Sequence, residues 1–202
     1  VVEFAVKKKR VKYGLTTGFG KFCNVIISEE DNARLQKNLI MSHACGQGEP
    51  FAPEIVRAMM LLRANALAVG NSGVRPMVVQ RILQLINEDI VPIVPEKGSL
   101  GASGDLAPLA HIALVLIGMG EALYKGAKMT GARALSEANI QPLVLEAKEG
   151  LALINGTQAM AALGALSVYD ALLLYRSATS ASALTFQALR GITEALDPRI
   201  HE

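Results

Sequence analysis

The sequence predicts a mainly α-helical fold, and three observations carry that expectation. Apolar residues make up 51% of the 202-residue chain while aromatics reach only 4% and Trp is absent, so the core must be built from Leu, Ile, Val, Ala and Met. Small apolar residues let helices approach closely, which suits a bundle better than a sandwich of sheets. Apolar positions recur at helical spacing between proline and glycine punctuation, ending in a proline-free, Ala- and Leu-rich run over 146–190.

Residues 1–12 read as an extended segment, Val2, Phe4 and Val6 alternating with charged or small neighbours, before a glycine-punctuated loop from Tyr13 to Gly20. Ser28 with Asp31 three residues later resembles a capping box; Leu35 and Leu39 supply the apolar spacing and Gly46 the stop. Pro53 suits the first turn of a second helix that runs to Val69 and closes at Gly70. A third helix begins near Pro76 and buries Val78, Ile82, Leu85 and Ile86. Pro92 and Pro95 end helical structure and open an irregular stretch from Glu96 to Gly104. Asp105 can then cap a helix with Pro108 in its first turns and apolar residues to Ile117. Glycines and lysines between Gly118 and Gly131 indicate a surface excursion, irregular or a small hairpin. The 146–190 run predicts two long helices or one bent one, with Gly150, Gly156 and Gly164 as weak points. A helix apolar nearly all round at that length needs cover from other subunits. The chain stops at Asp197-Pro198-Arg199-Ile200-His201-Glu202, directly after a helix breaker and without a closing element, so we expect a truncated chain.

A net charge of +2 gives no argument for a nucleic-acid or acidic partner. Lys7-Lys8-Lys9-Arg10 reads as a solvated strand or tail, since no aromatic residues interleave with it; a localisation or phosphate patch is the alternative. Cys23 and Cys45 do not make a disulfide framework. The start lacks a signal-peptide layout, and Ile112 to Ile117 is too short to span a bilayer, so a cytoplasmic protein with no membrane partner is expected.

Several motifs fail on spacing. The loop from Gly14 to Lys21 would need Gly at Leu15 and Ser or Thr at Phe22 to cradle phosphate, and a dinucleotide fingerprint would need Gly at Cys23. Three histidines, His43, His111 and His201, without a metal-ligand spacing leave no metal expected. Asn155-Gly156-Thr157 matches a glycosylation sequon that a cytosolic chain would never present to the transferase.

The segment that carries chemistry is Gly98-Ser99-Leu100-Gly101-Ala102-Ser103-Gly104-Asp105-Leu106-Ala107-Pro108-Leu109-Ala110-His111. Its Ala-Ser-Gly core can react with itself: the amide nitrogen of Gly104 attacks the carbonyl of Ala102, one water leaves as a five-membered ring closes, and a second leaves as Ser103 becomes an exocyclic methylene. Gly104 has no side chain to block the tight bend, Ser103 brings the departing hydroxyl, and Ala102 is small enough to be compressed. A helix beginning at Asp105 would set its N-terminal dipole towards negative charge developing on the product. Alone, Ala-Ser-Gly is a weak signal, and a small-residue turn before a helix explains it equally well.

The flanks change that balance. The full string is similar to the signature of the aromatic amino acid ammonia-lyase family, and two further segments match in the same order, Tyr-Gly-x-x-Thr-Gly-Phe-Gly at 13–20 and Gly-Leu-Ala-Leu-Ile-Asn-Gly-Thr-Gln at 150–158. The resemblance extends from about Tyr13 to the last residue. Ser42-His43, Thr16-Thr17, Lys21-Phe22 and Asn155-Gly156-Thr157-Gln158 resemble the members acting on histidine. The resemblance implies the N-terminal part of an ammonia-lyase/fumarase-like helical fold. An electrophile-bearing domain would occupy 1–145, and the start of a central bundle domain 146–202. It also implies a methylidene-imidazolone formed from Ala102, Ser103 and Gly104, with no external cofactor, in a homotetramer.

The activity implied is elimination of ammonia from L-histidine to give trans-urocanate. The Ser103 methylene would take up the substrate through its amino nitrogen or, alternatively, its ring. Tyr13 would be the base for the β-proton, on a loop whose glycines let it close as a lid, the alternative being an aromatic packed at the loop base. A phenol titrates near 10, so the basic role needs a stabilised anion. Asn155 would hydrogen-bond the electrophile or the substrate amine, the alternative being an Asn that caps the following helix. His43 would contact the substrate imidazole or its carboxylate side, or be a satisfied histidine at a helix end. His111 and Asp105 read as supports around the electrophile. Rival readings are another aromatic ammonia-lyase or aminomutase, and a non-catalytic helical assembly piece; the chain alone is expected to be inactive.

Overall fold

A computed structural model of the chain describes residues 17, 29–100 and 104–200. The extended segment expected at 1–12, the Tyr13 loop apart from Thr17, the Ser28 cap, and Ala102 and Ser103 lie outside the described residues. Packing divides the chain into two compact units, 1–163 and 164–202.

The first unit is mainly helical. Helix α1 spans Glu29–His43, strand β1 Gln47–Pro50, α2 Pro53–Ala68 and α3 Pro76–Asn87. Short strands β2, Val91–Pro92, and β3, Pro95–Lys97, precede α4, Leu106–Leu116. Strands β4, Glu121–Tyr124, and β5, Ala127–Thr130, lead into α5, Gly131–Glu137, and then α6, Glu149–Ile154. The long helix α7, Gln158–Ala188, crosses from the first unit into the second.

Helix α4 is the centre of the first unit. Eight of its eleven residues are buried, including Leu109, Ala110 and Val115, because α1, α5, α6 and β2 all pack against it. Pro108 sits in its first turn, where the missing N–H has no intrahelical partner to lose. Pro53 and Pro76 open α2 and α3 in the same way. Along α3, Val78, Ile82 and Leu85 are buried and Ile86 is half-buried, packed against α2.

The stretch expected to be irregular from Glu96 to Gly104 begins as strand, in Glu96 and Lys97 of β3. Antiparallel β3 pairs with β1 through Gln47↔Lys97 and Pro50↔Pro95, and β2 is the edge of a three-stranded sheet ordered β2-β4-β5. Prolines survive because these strands are two or three residues long and lie at sheet edges. The excursion after Gly118 is the β4–β5 hairpin, turned by Lys125 and Gly126 at positive φ.

The 146–190 run is one short helix and one long one, broken at Asn155-Gly156-Thr157. Helix α6 packs on α1 and α4, and the division between the two compact units falls within α7. In the second unit the rest of α7 is closed by Arg190, two residues past its last one, which takes φ 54°, with the Gly191 amide donating back to the Phe186 carbonyl at 2.9 Å. Two 3₁₀ turns, Thr193–Leu196 and Pro198–Ile200, follow.

Candidate active site

The stem of the Ala-Ser-Gly loop is built by close backbone approach. Gly98 takes φ +138°, and a Cβ there would meet the Gly46 Cα at 3.0 Å, so the α1–β1 corner and the start of the loop need glycine at both positions. The Gly46 amide donates to Nε2 of His111 at 3.1 Å. Burial pushes the His111 imidazole below its ordinary value, which keeps that nitrogen an acceptor. His111 thus ties the α1–β1 corner to the helix that follows the loop.

Asp105 closes the loop from the other side. Its buried carboxylate accepts from the Ser99 hydroxyl at 2.8 Å, bridging the ends of the segment that holds residues 100–104. Asp105 stands at the N-cap position of α4, yet its side chain makes no cap bond to that helix. Oδ2 accepts from the Met160 amide at 2.9 Å, in the first turn of α7. The cap expected for α4 therefore serves a different helix, because α7 brings its unpaired N–H groups to the same point.

Gly104 is the described end of the Ala102-Ser103-Gly104 tripeptide. It takes φ +133°, and a Cβ there would lie 2.8 Å from Asn155 Oδ1, 2.8 Å from the Gly156 nitrogen and 3.1 Å from the Gly156 oxygen. The Asp105 amide donates to the Gly156 carbonyl at 2.6 Å. Position 104 thus admits only glycine, held in a bend by the turn that follows α6. A ring closing through the nitrogen of position 104 needs a residue with no side chain in the way, so the described part of the tripeptide fits a methylidene-imidazolone.

Asn155 and Gly104, 51 positions apart in sequence, are brought together. Asn155 is the C-cap residue of α6 and does not cap α7, whose first residue is Gln158. Residue 155 is exposed, and while its backbone amide donates to the Leu151 carbonyl, its side-chain amide has no hydrogen-bond partner among the described residues. His43, the last residue of α1, has Nδ1 2.8 Å from the Leu39 carbonyl and 3.1 Å from the Ser42 hydroxyl, leaving Nε2 without a partner among the described residues. Among the described residues, no hydrogen bond joins His43 to Gly104 or Asn155. Tyr13, Ala102 and Ser103 lie outside the described residues.

Beside the site stand Arg63, which was not anticipated, and Gln158, which was read only as part of the 155–158 motif and given no role. Arg63 is buried on the core face of α2; Nη1 donates to Gln158 Oε1 at 2.9 Å and Nη2 donates to the Ala152 carbonyl. The available signal was a cation four residues from both Met59 and Leu67, on a helix face otherwise apolar.

The model of the aromatic amino acid lyase family matches residues 1–202. The chain is 58% identical over 201 residues to a protein named histidine ammonia-lyase from Alkaliphilus metalliredigens, covering 100% of this chain and 40% of that protein. It is 57% identical over 200 residues to one of the same name from Caldanaerobacter subterraneus subsp. tengcongensis, covering 99% and 39%. Among solved structures, histidine ammonia-lyase from Trypanosoma cruzi superposes with a TM-score of 0.92 at 40% identity, covering 99% of this chain and 39% of that one. Phenylalanine aminomutase from Pantoea agglomerans does so with a TM-score of 0.92 at 42% identity, covering 99% and 38%. The chain spans about 40% of the length of the relatives it matches. On a match running from its first residue to its last, the chain belongs to the aromatic amino acid lyase family.

Proposed function

We propose that this chain carries the electrophile-bearing part of a histidine ammonia-lyase, which eliminates ammonia from L-histidine to give trans-urocanate and so opens histidine degradation. The observation that carries the reading is the seating of Gly104, at positive φ, against Asn155 and Gly156. That contact joins the two segments whose motifs match the family. The relatives at 57–58% identity, named for histidine, favour that substrate; solved structures at 40–42% include an aminomutase and do not separate the classes.

The methylidene-imidazolone formed from Ala102, Ser103 and Gly104 supplies an electrophilic carbon, with no external cofactor. Asn155 offers an unengaged amide beside it, suited to the substrate amine or the ring. His43 presents Nε2 to the substrate's imidazole or carboxylate side, its ring oriented through Nδ1. Tyr13 takes the β-proton, which requires its phenolate to be stabilised well below the usual value near 10. The active site is completed in a cytoplasmic homotetramer, by residues beyond these 202 and by neighbouring copies, and the chain by itself is inactive.

The test is a longer polypeptide containing these residues, assayed separately with histidine, tyrosine and phenylalanine. Only histidine should react, giving the absorbance of urocanate, and the peptide over 98–105 should be lighter by two waters, about 36 Da. Deamination by Ser103→Ala as fast as by the wild type would refute the proposal, and a preference for tyrosine or phenylalanine would move it to another branch of the family.

A further inference from the structure

Arg63 is 6% exposed, and its Nε has no hydrogen-bond partner among the described residues. None of the ion pairs among the described residues includes it. Burial lowers the guanidinium to about 10, so it remains a cation at neutral pH. A buried charge with no counter-ion among the described residues is costly, and Leu or Met would fill this face of α2 at lower cost. What the guanidinium holds explains its presence. It binds the last turns of α6 through the Ala152 carbonyl and the start of α7 through Gln158, the two flanks of the Asn155–Thr157 turn. A Cβ on Gly156 would overlap both Arg63 Nη1 and Gln158 Oε1, so the turn rests directly on this pair. Gly156 in turn accepts the Asp105 amide and packs on Gly104.

We propose that Arg63 is a positioning residue for formation of the electrophile, seating the Asn155–Thr157 turn so that Gly156 holds Gly104 in the bend from which its nitrogen reaches Ala102. The inference rests on the reading that Ala102-Ser103-Gly104 cyclises. In that reaction the Gly104 nitrogen bonds to the Ala102 carbonyl carbon. The carbonyl oxygen leaves as water with the amide hydrogens of Gly104 and Ser103, and a second water takes the Ser103 hydroxyl and its α-hydrogen. No oxidant or partner is needed, so the outcome depends on how well the backbone is held.

The experiment uses the full-length enzyme with Arg63→Met, Arg63→Lys and Gln158→Leu. Each is scored by the mass of the 98–105 peptide, thermal midpoint, and kcat and KM for histidine. Arg63→Met should accumulate peptide at the unmodified mass and lose kcat by roughly 100-fold with little change in KM, as for a misplaced reacting group. Arg63→Lys should be intermediate, since it keeps the charge but not the two-pronged geometry. Complete cyclisation with wild-type kcat in Arg63→Met overturns the inference, whatever its thermal midpoint. Should that variant fail to fold, the same result in both Arg63→Lys and Gln158→Leu overturns it. Wild-type peptide at the unmodified mass would instead sink the cyclisation reading itself, independently of Arg63.

Discussion

The Gly46 amide can donate to His111 only while Nε2 is unprotonated, and burial pushes the ring in that direction. The folded imidazole binds a proton less readily than the unfolded one. Its contribution to stability is therefore full above the unfolded value of about 6.5 and is lost as pH falls through the lower folded value. Urea unfolding should show wild-type stability dropping as pH falls from about 6.5 towards the lower folded value. His111→Gln, whose amide oxygen accepts without titrating, should remove that part of the drop; identical pH profiles would contradict the assignment. Gly156 gives a second test at this scale. Alanine there must displace Arg63 and Gln158, costing about 1–3 kcal/mol as overpacking and leaving uncyclised tripeptide in the mass spectrum. His111 and Asp105 were readable as supports because they lie within one contiguous motif. Arg63 was not, because its partners come from 89 and 95 positions away and no local pattern announces them.

Elements were legible where proline and glycine punctuate them. Pro53 and Pro76 mark α2 and α3, and the break in the 146–190 run falls at one of its expected weak points, Gly156. Helix ends were harder. Helices α3 and α5 close with Asp89 and Asn139 at φ 55°, followed by Ile90 and Ile140 whose amides bond back to the Leu85 and Leu135 carbonyls. These are glycine-type stops made by residues that tolerate the left-handed region, each sealed by a buried apolar pair. The strands β2 and β3 escaped notice because two or three residues cannot display an alternation. The least legible feature is the cap that Asp105 lends to α7, since residue type gives the capacity to cap but only packing decides which helix is served. Asp105→Ala strips the acceptor from both Ser99 and Met160. It should destabilise by about 1–3 kcal/mol in urea unfolding, with faster amide exchange at Met160 than elsewhere in α7. Asp105→Asn, which keeps an acceptor but loses the charge favoured at a helix start, should fall between. Unchanged protection at Met160 in the alanine variant would refute the capping role.

At the scale of the molecule, the unsolved surface belongs to α7. In the second unit Leu172, Leu173, Leu174 and Tyr175 are each more than half exposed, and four consecutive helical residues point in all directions, so no single docking face accounts for them. By length and composition the helical stretch is apolar enough to cross a membrane, with Asp170 and Arg176 interrupting it. Under the proposed homotetramer it is instead a bundle helix covered all round, partly by the rest of a longer polypeptide and partly by other copies. These two kinds of cover respond differently to charge. Leu172→Glu with Leu173→Glu, placed in the longer polypeptide, loads two adjacent directions of the helix with carboxylates that cannot be buried unpaired. If copies cover that sector, sedimentation should show a species smaller than the wild type, with the 98–105 peptide still short by two waters, because the electrophile's stem lies within 1–163. If the polypeptide's own remaining residues cover it, the assembly should keep its size and lose thermal stability instead. A variant that keeps both size and stability would mean that neither cover exists at this sector, and the homotetramer reading of α7 would fail.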